Sequence, residues 1–150
     1  METFSHGTLD PWYVTGFADG EGSFTYSRSG RQMGLYFAIK LTAEEEPILQ
    51  RLQEFLGVGR IYNVVARKPS GHGGWTKTAR YYRVTRRDDL VRIIEHFDQY
   101  PLQTEKLKSY VIWRQMVLLK QQSFRNPDRE KLQMLAEKLS ACCIRKQEWK

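Results

Sequence analysis

The sequence predicts an α+β domain in which an antiparallel sheet carries helices, and three observations point there. A helix with clear start and stop signals runs from Pro11 into a turn at Gly20-Glu21-Gly22. Four segments alternate apolar and polar residues with period 2, the signature of half-buried strands. Between and after them, apolar residues recur at helical spacing. The order is αββα-ββα with two appended helices, one domain over residues 1–150. That length suits one compact core.

Asp10-Pro11 opens the first helix, because Asp can cap exposed N–H groups and Pro fits the first helical position. At about 100° per residue, Tyr13, Val14, Phe17 and Ala18 share an apolar face. Trp12, Thr15, Gly16 and Asp19 share the opposite face, which is small at its centre. Gly in a helix costs about 1 kcal/mol relative to Ala. Close approach of another backbone would explain Gly16. Gly20 and Gly22 then permit a sharp turn around one acidic side chain, Glu21.

Residues 23–29 read as a strand, with Phe24 and Tyr26 alternating with Ser23, Thr25 and Ser27. Gly30-Arg31-Gln32 is the turn. Residues 34–41 form a second strand, with Leu35, Phe37, Ile39 and Leu41 on one face and Tyr36, Ala38 and Lys40 on the other. A helix over about residues 43–56 places Ile48, Leu49, Leu52, Phe55 and Leu56 at helical spacing, and Gly57 stops it. Strands follow at residues 59–65 and 79–86, separated by a Gly- and Lys/Arg-rich loop. Leu90, Ile93, Ile94 and Phe97 mark a third helix, broken by Tyr100-Pro101. Thr104 caps a fourth. Asn126-Pro127 opens a fifth, with Leu132, Leu135, Ala136 and Leu139 as its apolar face.

With 24 Lys+Arg against 17 Asp+Glu, the net charge is +7, and the pI is near 9.5. Such a balance favours a polyanionic partner. No apolar run approaches the roughly 20 residues of a membrane span, and no signal peptide is visible. The adjacent Cys142 and Cys143 are poorly placed to bridge one another and lack metal-ligand spacing. The expectation is an intracellular protein, of prokaryotic cytoplasm or an organelle, neither secreted nor membrane-bound.

The string W-Y-V-T-G-F-A-D-G-E-G-S-F over residues 12–24 resembles the LAGLIDADG homing endonucleases. Their nine-residue motif maps onto Val14-Thr15-Gly16-Phe17-Ala18-Asp19-Gly20-Glu21-Gly22, and the order of elements matches their fold. Only one copy of the motif is present. Family members with one motif are homodimers, and those with two are pseudo-symmetric monomers. The resemblance therefore implies a homodimer joined through the motif helix, at Trp12, Thr15, Gly16 and Asp19. It implies an Mg²⁺-dependent, site-specific double-strand DNA endonuclease that recognises a long pseudo-palindromic site. Mn²⁺ would substitute for Mg²⁺, and Ca²⁺ would support binding without cleavage. Genes of such enzymes usually sit in mobile introns or inteins. An RNA-binding intron maturase and a catalytically dead DNA-binding regulator are the rival readings on the same fold.

Cleaving a phosphodiester needs an in-line water and a stabilised leaving oxygen, and carboxylate-bound divalent metal serves both. Mg²⁺ often takes only one or two protein carboxylates. Glu21 supplies one, and the Gly20 carbonyl a second oxygen, by the family pattern. Asp19 would be structural, hydrogen-bonding backbone at helix ends. Lys106 matches the family's basic residue at the start of the helix after the breaker, and would support the transition state electrostatically. One departure stands out. Where some relatives carry a polar residue at the end of the second strand to organise water, this chain has Leu41, preceded by Lys40.

A four-stranded sheet can lie in a major groove and present alternate side chains to base edges. By alternation the outward set holds Ser23, Thr25, Ser27 and Ser29; Gln32, Tyr36 and Lys40; Arg60 and Tyr62; and Tyr81, Arg83 and Thr85. It contains no carboxylate. Arg28 and Arg80 fall in the inward phase near loop ends, from which they could twist outward. Arg67, Lys68 and Lys77, in the long loop, are expected to touch phosphates or outer bases.

Overall fold

The structure, a computed structural model, describes residues 6–65, 77–123, 125 and 127–144. Helix α1 spans Pro11–Glu21. The Asp10 carboxylate caps it, accepting a hydrogen bond from the Trp12 N–H at 2.8 Å. The helix passes into strand β1 (Gly22–Ser29) with no linking residue. Gly22 makes that junction possible. A Cβ there would lie 2.8 Å from the Ala18 carbonyl oxygen and 3.1 Å from the Phe37 ring. Any side chain would therefore force helix and sheet apart.

Strand β2 (Gln32–Thr42) follows a turn at Gly30-Arg31, tighter than the three-residue turn expected. A 3₁₀ turn at Ala43–Glu45 precedes helix α2 (Glu46–Leu56). The α-helix begins later than its apolar spacing suggests, because Pro47 has no N–H to donate and fits only a first turn. Strands β3 (Arg60–Val64) and β4 (Ala79–Val84) complete the sheet, in the order β1-β2-β4-β3 with every pairing antiparallel. Helices α3 (Arg87–Gln99), α4 (Lys106–Gln122) and α5 (Arg129–Ile144) finish the chain.

One face of the sheet carries the core. Phe24 sits at its centre, with ring centroids of Phe37, Phe97, Tyr110 and Trp113 between 5.0 and 5.3 Å away. Edge-to-face pairs of this kind add about 0.5–1.5 kcal/mol each beyond area burial. The Trp113 indole N–H donates to the Thr25 carbonyl at 3.1 Å, which satisfies a backbone group on an edge strand. Leu132, Leu135, Ala136 and Leu139 of α5 are all buried, as their spacing requires. Arg28 and Arg80 do not twist outward. Arg28 donates to Gln133 of α5, and Arg80 pairs with Glu46 of α2 at 3.1 Å. Each stays in the inward phase because a polar partner waits there.

Helix α1 is rotated relative to the expected faces. Val14, Thr15 and Ala18 are its buried residues. Tyr13 is 49% exposed and Phe17 half-buried. The cause is polar and tertiary. The Thr15 hydroxyl donates to the Tyr100 carbonyl at 2.8 Å, so it accepts from His96 Nε2 at 3.1 Å, which makes His96 the neutral Nε2–H tautomer. Asp19 accepts from the Gln103 N–H at 2.8 Å, the Thr104 N–H at 3.3 Å and the Thr104 hydroxyl at 2.7 Å. Those bonds satisfy donors just before α4. Thr15 and Asp19 are thus held inside their own protomer. Trp12 is half exposed and packs edge-to-face on Tyr100 at 5.2 Å. The residues that α1 leaves open to solvent are Trp12, Tyr13, Gly16 and Gly20, with half-buried Phe17 at their edge.

Two outcomes are expected. Asp19→Ala should lower stability by about 2 kcal/mol by orphaning the donors before α4, read as a lower urea midpoint at constant m-value. Burial, reinforced by Arg92, lowers the His96 pKa to about 4. The unfolded imidazole titrates near 6.5, so the unfolded state binds more protons between those values. His96 therefore stabilises fully above pH 6.5 and loses that contribution, about 3 kcal/mol, as pH falls toward 4. Chemical denaturation at pH 7.5 and 5 should show this drop in the wild type, and His96→Asn should flatten it.

Candidate nucleic-acid interface and active site

Strand register decides which side chains share a face, since residues directly opposite in an antiparallel pair point to the same side. Ser23, Ala38, Arg83 and Arg60 form one row across all four strands. Lys40, Tyr81 and Tyr62 form the next. Thr25 stands opposite Tyr36, and Ser29 opposite Gln32. Ser27 faces Gly34. Apart from Thr85, which falls just past the end of β4, the residues expected to face outward therefore lie on one face, opposite the core. The serines, Gln32, Lys40, Arg60 and Tyr62 are exposed, while Thr25, Tyr36, Tyr81 and Arg83 are half-buried.

This face carries Lys40, Arg60 and Arg83 and no acidic strand residue. Arg60 and Arg83 are direct cross-strand neighbours, a like-charge pairing that is unfavourable without an anion. The Arg83 guanidinium lies 3.8 Å from the centroid of the Tyr36 ring. Burial pushes the Tyr81 phenol pKa up, and the neighbouring Tyr36 pushes it further. Lys77 is exposed just before β4. Arg67 and Lys68 lie outside the described residues. Leu41 points to the core side opposite Arg80, so it leaves the outward face to Lys40.

Helix α1 ends where this sheet begins. Glu21 and Gly20 are exposed in its last turn, adjoining Gly22, which pairs with Ile39. Beneath that turn lies Lys106. It is 6% exposed, and its Nζ donates to the Ala18 carbonyl at 3.0 Å. The first residue of α4 thus places its ammonium at the C-terminal end of α1, where the helix dipole favours a cation. This is not a solvated helix lysine. Its burial follows from the anchoring of α4 by Asp19, which no local pattern reveals.

The donor chemistry of this corner suits a hard cation in part. Among the described residues, no group of three or more His, Cys, Asp or Glu side chains forms a metal cage. The turn offers one exposed carboxylate and one backbone carbonyl. Mg²⁺ is commonly held by one or two carboxylates with water and phosphate oxygens. The set fits such an ion where a nucleic-acid backbone and a second acidic turn complete the shell.

The α1 stripe missed in the sequence is the remaining feature. A Cβ on Gly16 or Gly20 would meet nothing within 4 Å. Neither glycine is therefore required by packing within the protomer. Among the described residues no helix is long and apolar enough to cross a membrane.

Comparison with known proteins agrees with this arrangement. The family model described as LAGLIDADG endonuclease matches residues 14–117. A protein of Podospora anserina, described as an uncharacterized 50.9 kDa protein in ND4 intron 1, is 34% identical over 78% of this chain and 26% of its own length. A probable intron-encoded endonuclease of Schizosaccharomyces pombe, Cox1-I1b, is 32% identical over 71% of this chain and 27% of its own. The solved structure of I-SmaMI bound to uncleaved DNA target in the presence of calcium ions superposes with a TM-score of 0.70. It is 27% identical, over 87% of this chain and 45% of that one. This chain spans about a quarter of the length of those curated relatives and under half of that structure's chain. A matched motif at the α1–β1 junction, a four-stranded antiparallel sheet with a basic outward face, and intron-encoded relatives together establish that the chain belongs to the LAGLIDADG endonuclease family.

Proposed function

We propose that this chain forms one half of a site-specific, metal-dependent DNA endonuclease, paired with a second copy of itself through α1. The observation that carries the reading is the junction of Glu21 with the acid-free outward face of the sheet. A carboxylate is useless for binding a polyanion. Placed at the border of a basic sheet face that carries no acidic strand residue, it suits the recruitment of a cation to a phosphate. Bound there, Mg²⁺ would polarise the scissile phosphate and stabilise the leaving 3′-oxygen.

The chain's own residues have separate tasks. The outward face binds duplex DNA, with Thr25, Ser27, Ser29, Gln32, Tyr36, Lys40, Arg60, Tyr62, Tyr81 and Arg83 toward base edges. Arg67, Lys68 and Lys77 serve as backbone contacts. Glu21 and the Gly20 carbonyl hold the cation. Lys106 fixes the α1 terminus and adds positive potential beside the reacting phosphate.

Pairing rests on the stripe of Tyr13, Gly16, Phe17 and Gly20. Gly16, inside the helix, costs about 1 kcal/mol relative to Ala, and among the described residues nothing lies within 4 Å of a Cβ placed there to repay it. Crossing two such helices at their glycines brings backbones close and sets two Glu21 carboxylates beside one two-fold axis. Each would then serve one strand. Trp12 borders this contact, whereas Thr15 and Asp19 support it from behind. RNA is a possible ligand of the same basic face, and direct competition separates the two: duplex DNA should displace labelled DNA at far lower concentration than structured RNA at equal salt.

Three measurements test the reading. Gly16→Leu should abolish the dimer seen by sedimentation, and a stable wild-type monomer would refute self-pairing. Arg60→Ala should relax preference at particular base pairs by about 1–3 kcal/mol, while Lys68→Ala should weaken all sites alike and flatten the salt dependence. Glu21→Gln should reduce cleavage in Mg²⁺ by orders of magnitude while preserving specific binding in Ca²⁺. Cleavage by that variant at the wild-type rate would end the metal-nuclease proposal.

A further inference from the structure

We infer that Arg83, stacked on Tyr36, reads one guanine in each half of the DNA target, a specificity role that rests on the nuclease reading above. Several arginines and lysines border the outward face, but Arg83 is distinguished by how it is held. Its guanidinium lies 3.8 Å from the Tyr36 ring centroid, against 5.6 Å for Arg28 and Tyr26 on the core side. Arg83 is the cross-strand neighbour of Ala38, whose small side chain leaves room to lean diagonally along the sheet toward Tyr36. Tyr81, on the next strand, lies close enough to Tyr36 for the two phenols to influence one another. Arg83 Nε is buried without a hydrogen-bond partner.

The physical consequence is a preorganised fork. A free arginine spends about 2 kcal/mol of rotamer entropy when it is ordered. Here the close contact with the Tyr36 ring already restricts where the guanidinium lies. No acidic strand residue shares its face, and Arg60 stands opposite it in the same row, so an acceptor from outside the chain suits it. A phosphate accepts from many directions and gains little from a fixed plane. The O6 and N7 atoms of guanine lie in one plane and accept two parallel N–H bonds, which is what an oriented guanidinium offers in the major groove. Arg60 is exposed and among the described residues has no such ring contact, so it is less preorganised than Arg83.

The test uses the full-length protein and a duplex that the wild type cleaves, selected from a randomised library. Each guanine is replaced in turn by 7-deazaguanine, which removes N7 but keeps Watson–Crick pairing. Binding in Ca²⁺ should weaken about tenfold or more at one guanine per half-site. Arg83→Ala should bind the parent site more weakly and show no further loss at that position. Arg83→Lys keeps the charge and the salt dependence but should lose the discrimination. Tyr36→Phe should retain the guanine preference, and Tyr36→Ala should erode it. If Arg83→Ala weakens all sequences equally and flattens the salt dependence, Arg83 is a phosphate contact and the inference is wrong. If the wild type cleaves but every N7 replacement acts equally on wild type and Arg83→Ala, the inference fails while the nuclease reading stands. A wild type that binds no duplex overturns both.

Discussion

The carbonyl oxygen of Ala18 is the point on which the working end of this molecule depends. It accepts the backbone N–H of Gly22, which closes α1 and starts the sheet in one step. It also accepts Lys106 Nζ, which ties α4 to the same helix end. Asp19, one residue on, holds the donors ahead of α4. Three elements distant in sequence are therefore locked around one turn, and that turn carries Glu21. A buried ammonium is costly unless it is hydrogen-bonded and favourably placed. At a helix C-terminus it is both. Rigid support of this kind is what a site needs if one carboxylate is to meet a cation and a phosphate with fixed geometry.

The sheet obeys a different logic. Its two faces are chemically opposite because each strand alternates, and antiparallel register makes the alternation coherent across four strands. The core face is closed by aromatic packing around Phe24. The outward face is left with hydroxyls, amides, phenols and cations. Because Gly22 allows no linker, the acidic turn sits at the border of that face. In the proposed reading, a single glycine thereby places recognition and chemistry in contact.

Much of this was legible in the sequence for a physical reason: local signals are strong where local physics decides. The Asp10-Pro11 cap, the Gly57 stop and the period-2 strands rest on neighbours a few residues apart, so the element order and the outward set of strand residues could be read directly. The phase of α1 could not. Thr15 is buried because Tyr100 and His96, more than 80 positions away, give its hydroxyl partners. That choice turns Tyr13 outward, leaves Phe17 half-buried, and centres the open face of the helix on Gly16 and Gly20. Arg28 and Arg80 were similarly opaque, since Gln133 and Glu46 await them on the core side. Gly16 was recognisable as anomalous, but its neighbours on the open stripe were not.

The central claim is that two Glu21 turns meet at one duplex and hold a cation against its phosphates. The most direct measurement is anomalous diffraction from crystals of the protein bound to a selected duplex in Mn²⁺. Density between paired Glu21 carboxylates and the scissile phosphates, within reach of the Gly20 carbonyl, is the predicted result. Well-ordered Mn²⁺ that avoids Glu21, or a complex in which the two α1 helices do not meet, would contradict the account.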